Sequence, residues 1–157
     1  MKILYTTVDG KIAIVHAAPK EHLERVLGPL TEQAYKNHVW ERSIPANAIG
    51  PREIDESEIP ASREFRDAWT VENDTIKEDL DKSREIKLKQ IREERKPLFE
   101  ANDAALLKAL SMDDAIALSA AKEEAQRLRD ATEPLKTMEV VSIDQLAGTN
   151  LDTFLGK

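Results

Sequence analysis

The sequence predicts an α+β protein: a small N-terminal β-rich domain over residues 1–78, a long antiparallel helical hairpin over 79–132, and a short C-terminal helix with a tail over 133–157. Three observations carry this reading. Ile3 to Thr7 and Lys11 to His16 are rich in β-branched and aromatic residues. Leu80 to Thr132 holds the longest helical periodicity in the chain, and Pro45, Pro51 and Pro60 punctuate the connector between them.

Asp9-Gly10, lying between two strand-like runs, is a hairpin signal because both residues tolerate positive φ. Pro19 suits a first helical turn, Leu23, Val26 and Leu27 recur at helical spacing, and Gly28 stops the segment. Thr31 can cap a further turn through Tyr35, after which the alternation of His38-Val39-Trp40-Glu41-Arg42 predicts a strand. The prolines and Gly50 leave room between Ser43 and Ala61 only for an edge strand at Glu53-Ile54-Asp55. Phe65 and Trp69 are expected to close the N-terminal core, followed by two extended pieces that turn at Asn73-Asp74.

Asp79 can cap a helix beginning near Leu80, since its carboxylate can accept from N–H groups of the next turn. Leu88, Ile91, Leu98 and Ala105 form a narrow stripe in which Arg84, Arg95 and Asn102 also fall. Pro97 removes the hydrogen bond to the Glu93 carbonyl, so a bend is expected just before it. Ser111 with Asp114 reads as a capping box after a turn at Leu110 to Met112. Leu118, Ala121, Ala125 and Leu128 then supply a second stripe that should face the first. Thr132-Glu133-Pro134 ends this helix, and Ser142 with Gln145 caps another, with Val141 and Leu146 as a hydrophobic staple. The tail from Leu151 to Lys157 is expected to need a partner to order.

Composition limits what the chain can do. With 4% aromatic and 34% charged residues, apolar mass is thin for one compact globule, which points to surface buried against another chain. The net charge of -7 argues against a general nucleic-acid binder. The absence of cysteine removes disulfides, thiolate metal sites and cysteine nucleophiles. Met1 to Tyr5 begins an alternating strand rather than an apolar signal region, and no run approaches the roughly 20 apolar residues of a membrane span. His16, His22 and His38 lack metal-ligand spacing, the five glycines are isolated, and no nucleophile elbow is present. No enzyme activity, cofactor or metal is expected.

Lys82, Arg84, Lys87, Lys89, Arg92, Arg95 and Lys96 form the most basic stretch. Glu85, Glu93 and Glu94 are interleaved at helical spacing, which favours a solvated, internally paired face over a nucleic-acid patch. Arg95 differs, because on the apolar stripe it needs a carboxylate such as Asp103, or one from a neighbouring segment, to offset its desolvation.

Phe65-Arg66-Asp67-Ala68-Trp69, the Asn73-Asp74 turn, Asp79-Leu80 with Arg84-Glu85-Ile86, and Ile91-Arg92 with Arg95, Leu98 and Asp103 carry a resemblance. Over Phe65 to Thr132 the chain resembles small uncharacterised bacteriophage and prophage tail-region proteins. Its helical part is similar to the C-terminal segment of phage tail-fibre assembly proteins, where Arg-x-x-Arg-x-x-Leu leads to an Asp. Pro97 and the lack of a Trp after Asp103 depart from that pattern.

The resemblance implies a non-enzymatic structural or adaptor protein of the virion, assembled in the bacterial cytoplasm and docking through its helical hairpin. Its partners would be other virion or tail proteins and further copies of itself, with no membrane. Arg92, Arg95, Asp103, Phe65 and Trp69 are the candidate interaction residues. The alternatives are a tail-fibre assembly chaperone absent from the mature particle and, more remotely, a regulatory nucleic-acid-binding protein.

Overall fold

The computed structural model describes residues 1–139 and 142–156, and the fold is α+β. The chain divides into two compact units, Met1–Glu78 and Asp79–Lys157.

In the first unit, β1 (Lys2–Thr6) lies between β2 (Ile12–His16) and β3 (Ile49–Ile54), all antiparallel. Thr6 pairs with Ile12, and Gly10 at φ 80° closes the loop on the Thr7 carbonyl. Only Gly10 of the Asp9-Gly10 pair takes positive φ, and the five connecting residues are closed by the Thr7 N–H donating to the Lys11 carbonyl at 2.8 Å, so the turn is longer than a two-residue hairpin loop. β3 begins earlier than the Glu53-Ile54-Asp55 piece predicted, running through Gly50 and Pro51. Two features permit this: it is an edge strand, where the missing N–H of proline costs little, and the register shifts between Leu4 and Thr6.

The sheet is covered on both faces. On one, Ile3 packs with Tyr35 and Val39 from α2 (Glu32–Ser43), and Leu23 from α1 (Lys20–Leu27) adds to the cluster. On the other, Leu4 and Ile54 pack with Trp69 and Ile76 from the hairpin of β4 (Trp69–Glu72) and β5 (Thr75–Glu78). Asn73 and Asp74 turn that hairpin with φ of 50° and 60°, the two left-handed positions of a type I′ turn. Arg52 reaches across to the turn, donating to the Asp74 carbonyl and pairing with Glu58 at 2.9 Å.

One expectation fails here. His38 to Arg42 is the second half of α2, not a strand. Thr31 Oγ1 accepts the Ala34 N–H at 3.1 Å and starts a twelve-residue helix, in which Tyr35 and Val39 stack one turn apart toward the sheet. Over five residues a period of two and a period of 3.6 are hard to separate.

The second unit is built on α3 (Leu80–Ser111), antiparallel to α4 (Ala115–Asp130). Asp79 caps α3 by accepting the Lys82 N–H at 3.0 Å, as expected. The helix continues through Pro97 without a break or restart. The second stripe lies where expected, with Ala121 and Leu128 buried and Leu118 and Ala125 half-buried. The first is shifted: Ser83, Lys87, Ile91, Asn102 and Ala109 are buried, Leu88 and Leu98 are half-buried, and Ala105 is exposed. Asn102 joins the two helices, donating from Nδ2 to the Ala121 carbonyl at 3.0 Å. Both helices approach closely there because residue 121 is alanine.

The remaining segment is not a separate piece. α5 (Glu133–Thr137), α6 (Ile143–Ala147) and α7 (Leu151–Leu155) each pack on α3 and bury Leu135, Leu146, Leu151 and Leu155. Ser142 caps α6 as expected, accepting the Gln145 N–H at 3.2 Å, whereas the proposed staple through Val141 lies outside the described residues. The tail orders within its own unit, because Asn150 Oδ1 accepts the Thr153 N–H at 2.8 Å and two leucines are buried.

Two outcomes check this packing. Ala121→Glu puts an unpaired carboxylate into the buried hairpin seam and should lower unfolding free energy by about 3 kcal/mol or more. Lys122→Glu, on the exposed side, should change it by under about 0.5 kcal/mol in the same denaturant titration. The second concerns pH. The Lys82 N–H holds the Asp79 carboxyl below the usual carboxylate range, so its cap contribution is complete near neutrality and fades as pH falls through that lowered value. Asp79→Asn should keep the cap and flatten the loss of stability between about pH 5 and 2, read from unfolding midpoints.

Candidate docking surface

The helical hairpin reverses through Met112, Asp113 and Asp114. The Asp114 N–H donates to the Ala109 carbonyl at 3.0 Å and Asp113 adopts φ 52°, a left-handed conformation unusual for a side-chain-bearing residue. The cap of α4 is Asp114, whose carboxylate accepts the N–H groups of Ile116 and Ala117 at 3.1 and 2.9 Å. Ser111 does not cap it. That residue is the last of α3, and its hydroxyl donates back to the Lys108 carbonyl at 2.8 Å.

Around this reversal the large apolar side chains point outward. Leu107 is 66% exposed, Leu110 55%, Met112 68% and Ile116 84%. The cause is geometric: the buried seam runs through Asn102 and Ala109, so Leu107 and Leu110 fall on other faces of the same helix. Lys108, Asp113 and Asp114 are exposed among them. Four large apolar side chains are thus exposed within one reversal, among charged neighbours.

Much of the basic stretch is engaged within its own unit. Arg95 Nη1 donates to the carbonyls of Leu128 and Arg129 at 2.9 and 3.0 Å, at the C-terminal end of α4, and its guanidinium lies 5.6 Å from the centroid of the Phe99 ring. Its compensation thus comes from backbone carbonyls and not from Asp103, which is exposed. Arg84 Nη2 donates to the Met138 carbonyl at 3.3 Å, at the end of α5. Lys87, 7% exposed, donates to the Ala147 carbonyl at 3.2 Å, at the end of α6. From α4, Arg127 donates to the Leu155 carbonyl at 3.2 Å, at the end of α7. Lys82 pairs with Asp79 and Lys96 with Glu93, at 3.6 and 2.5 Å. Among the described residues this leaves Lys89 and Arg92 exposed and without an ion pair.

Of the five candidate interaction residues, Arg92 and Asp103 are exposed on α3, Arg95 is half-buried and engaged, and Phe65 and Trp69 are buried. The patch at the reversal contains none of them. A sequence signal for it existed: Leu107, Leu110 and Ile116 are large apolar residues that fit neither helical stripe. Among the described residues, no helix is long and apolar enough to cross a membrane. The chain matches no protein-family model, no curated protein and no solved structure.

Replacing Arg95 distinguishes a strut from a contact residue. Arg95→Ala leaves the last carbonyls of α4 without their charged donor and should lower stability by about 1.5–3 kcal/mol, whereas Arg92→Ala should change it by under about 0.5 kcal/mol. Thermal or denaturant unfolding of the two variants side by side checks this.

Proposed function

We propose that this chain is a non-enzymatic structural or adaptor protein of a bacteriophage particle, in the tail or tail-fibre region, that docks through the end of its helical hairpin. The observation that carries the reading is the exposed set Leu107, Leu110, Met112 and Ile116. An apolar surface of this kind gains free energy when it enters an apolar groove on a neighbouring protein, at roughly 25 cal/mol per Å² removed from water. The resemblance of Phe65 to Thr132 to phage tail-region proteins supplies the setting.

A hairpin suits this task physically. Its two helices are stapled internally by Asn102 and Arg95, so the end can present side chains without itself having to fold on contact. The polar residues beside the patch would then set orientation more than affinity.

Leu107→Asp together with Ile116→Asp should leave the unfolding midpoint within about 2 °C of the parent, since both side chains are solvent-facing. The same variant should reduce incorporation into particles at least about tenfold, measured by mass spectrometry of purified virions after complementation. Unchanged incorporation would remove the hairpin end as the docking element. Recovery of the parent protein with immature fibre but never with finished particles would move the reading to an assembly chaperone.

A further inference from the structure

A second feature lies wholly within the first unit and is independent of the hairpin. A cavity of about 250 Å³ opens beside the edge strand β2. Its apolar wall is Ile14, Ile59 and Trp69, the outer margin of the cluster formed with Leu4 and Ile54. Its polar wall is His16, Arg63 and Arg66. No carboxylate lines it, in a chain whose net charge is -7. Among the described residues neither guanidinium has an ion-pair or hydrogen-bond partner, whereas Arg52, Arg84, Arg95 and Arg127 are all engaged.

Residue placement explains why these groups converge. Ile12, Ile14 and His16 alternate onto one face of β2, so the imidazole continues the row of apolar side chains. Arg66 opens the 3₁₀ turn Arg66–Ala68 that leads into Trp69, and Arg63 lies just before it, its carbonyl accepting the Arg66 N–H at 3.2 Å. The Trp69 indole N–H is already committed to Glu78 at 3.2 Å, which leaves its ring as an apolar surface.

We infer that this cavity binds a small monocarboxylate, with the carboxylate held by Arg63 and Arg66 and an apolar body of about one ring against Ile14, Ile59 and Trp69. Guanidinium groups match a carboxylate's planar geometry and remain charged at any working pH. A cavity of this size lies just below the usual range for drug-sized ligands, which selects short-chain or single-ring acids.

The test is a titration of the isotope-labelled full chain, followed by amide and indole N–H shifts in NMR spectra, with phenylacetate, 3-phenylpropionate and hexanoate. 2-Phenylethanol serves as the uncharged match. At least one acid should give saturable shifts at the Trp69 indole N–H and on β2, with the alcohol at least about tenfold weaker. Arg63→Gln and Arg66→Gln should each weaken binding about tenfold. Arg42→Gln, an exposed arginine on α2, should leave it unchanged. Absence of binding by all three acids, equal binding of the alcohol, or unchanged affinity in both the Arg63→Gln and the Arg66→Gln variants would overturn the assignment. The acid-to-alcohol comparison on the parent chain decides it even if a variant fails to fold.

Discussion

The second unit depends on one kind of contact: a cation from one helix donating to the last carbonyls of another. An α-helix leaves its final carbonyls without intrahelical donors, and a helix of five residues is too short to persist on its own hydrogen bonds. α5, α6 and α7 are each of that length. Each ends on a charged donor, from Arg84, Lys87 and Arg127 respectively, and α4 ends on Arg95. A charge-assisted bond contributes about 1.5–3 kcal/mol, and the positive charge also sits at the favourable end of the helix dipole. The burial of Lys87 follows from the same arrangement, since an ammonium that far from water requires such acceptors. Because Arg84, Lys87 and Arg95 lie within about 16 Å of helix axis, α3 acts as a rigid spine that fixes where three other helices stop.

This arrangement explains why so charged a stretch sits in the middle of a packed unit. Part of the run from Lys82 to Lys96 is directed inward, and much of the rest is neutralised by Asp79 and Glu93. Arg84, Lys87 and Arg95 in the first half of α3 thus act as struts to neighbouring helices. Beyond Asn102 the buried seam narrows to Ala109, and Leu107 and Leu110 turn outward. Pro97 lies between these two stretches, exposed, in an otherwise continuous helix. Its loss of about 3 kcal/mol relative to alanine is offset by the packing on both sides of it rather than by a break.

How far the sequence could be read divides along the range of the interactions. The Asn73-Asp74 turn, the Asp79 and Ser142 caps and the Ala121 stripe are legible because each signal is complete within a few residues. The failures involve competition or distance. His38 to Arg42 fits both periods, and only the sheet behind Tyr35 and Val39 decides for a helix. Ser111 and Asp114 are both good caps, and the choice depends on how far α3 persists. Arg95 could be placed on the packed face, but its acceptors could not be identified. Every residue has a carbonyl, so an acceptor of that kind leaves no mark in the sequence. The apolar end of the hairpin left a partial mark, since Leu107, Leu110 and Ile116 fit neither stripe, but their exposure depends on which face the partner helix covers.

The two units thus offer surfaces of opposite chemistry. In the first, two guanidinium groups line one wall of a small cavity; in the second, several cations of α3 are engaged by backbone carbonyls and large apolar side chains stand exposed at the hairpin reversal. Such a contrast would keep the small acid and the protein partner proposed above on separate surfaces. Two surfaces with the same character would compete for each other's partners, while a charge-selective cavity and an apolar patch exclude one another's ligands by desolvation alone. A guanidinium pair rejects an apolar side chain that offers no acceptor, and the Leu107 to Ile116 patch rejects a carboxylate that would lose its water without gaining a donor. Discrimination of this kind needs no motion between the units, because each surface is organised by contacts inside its own: the β1–β3 sheet with Trp69 in one, and the capped spine α3 in the other.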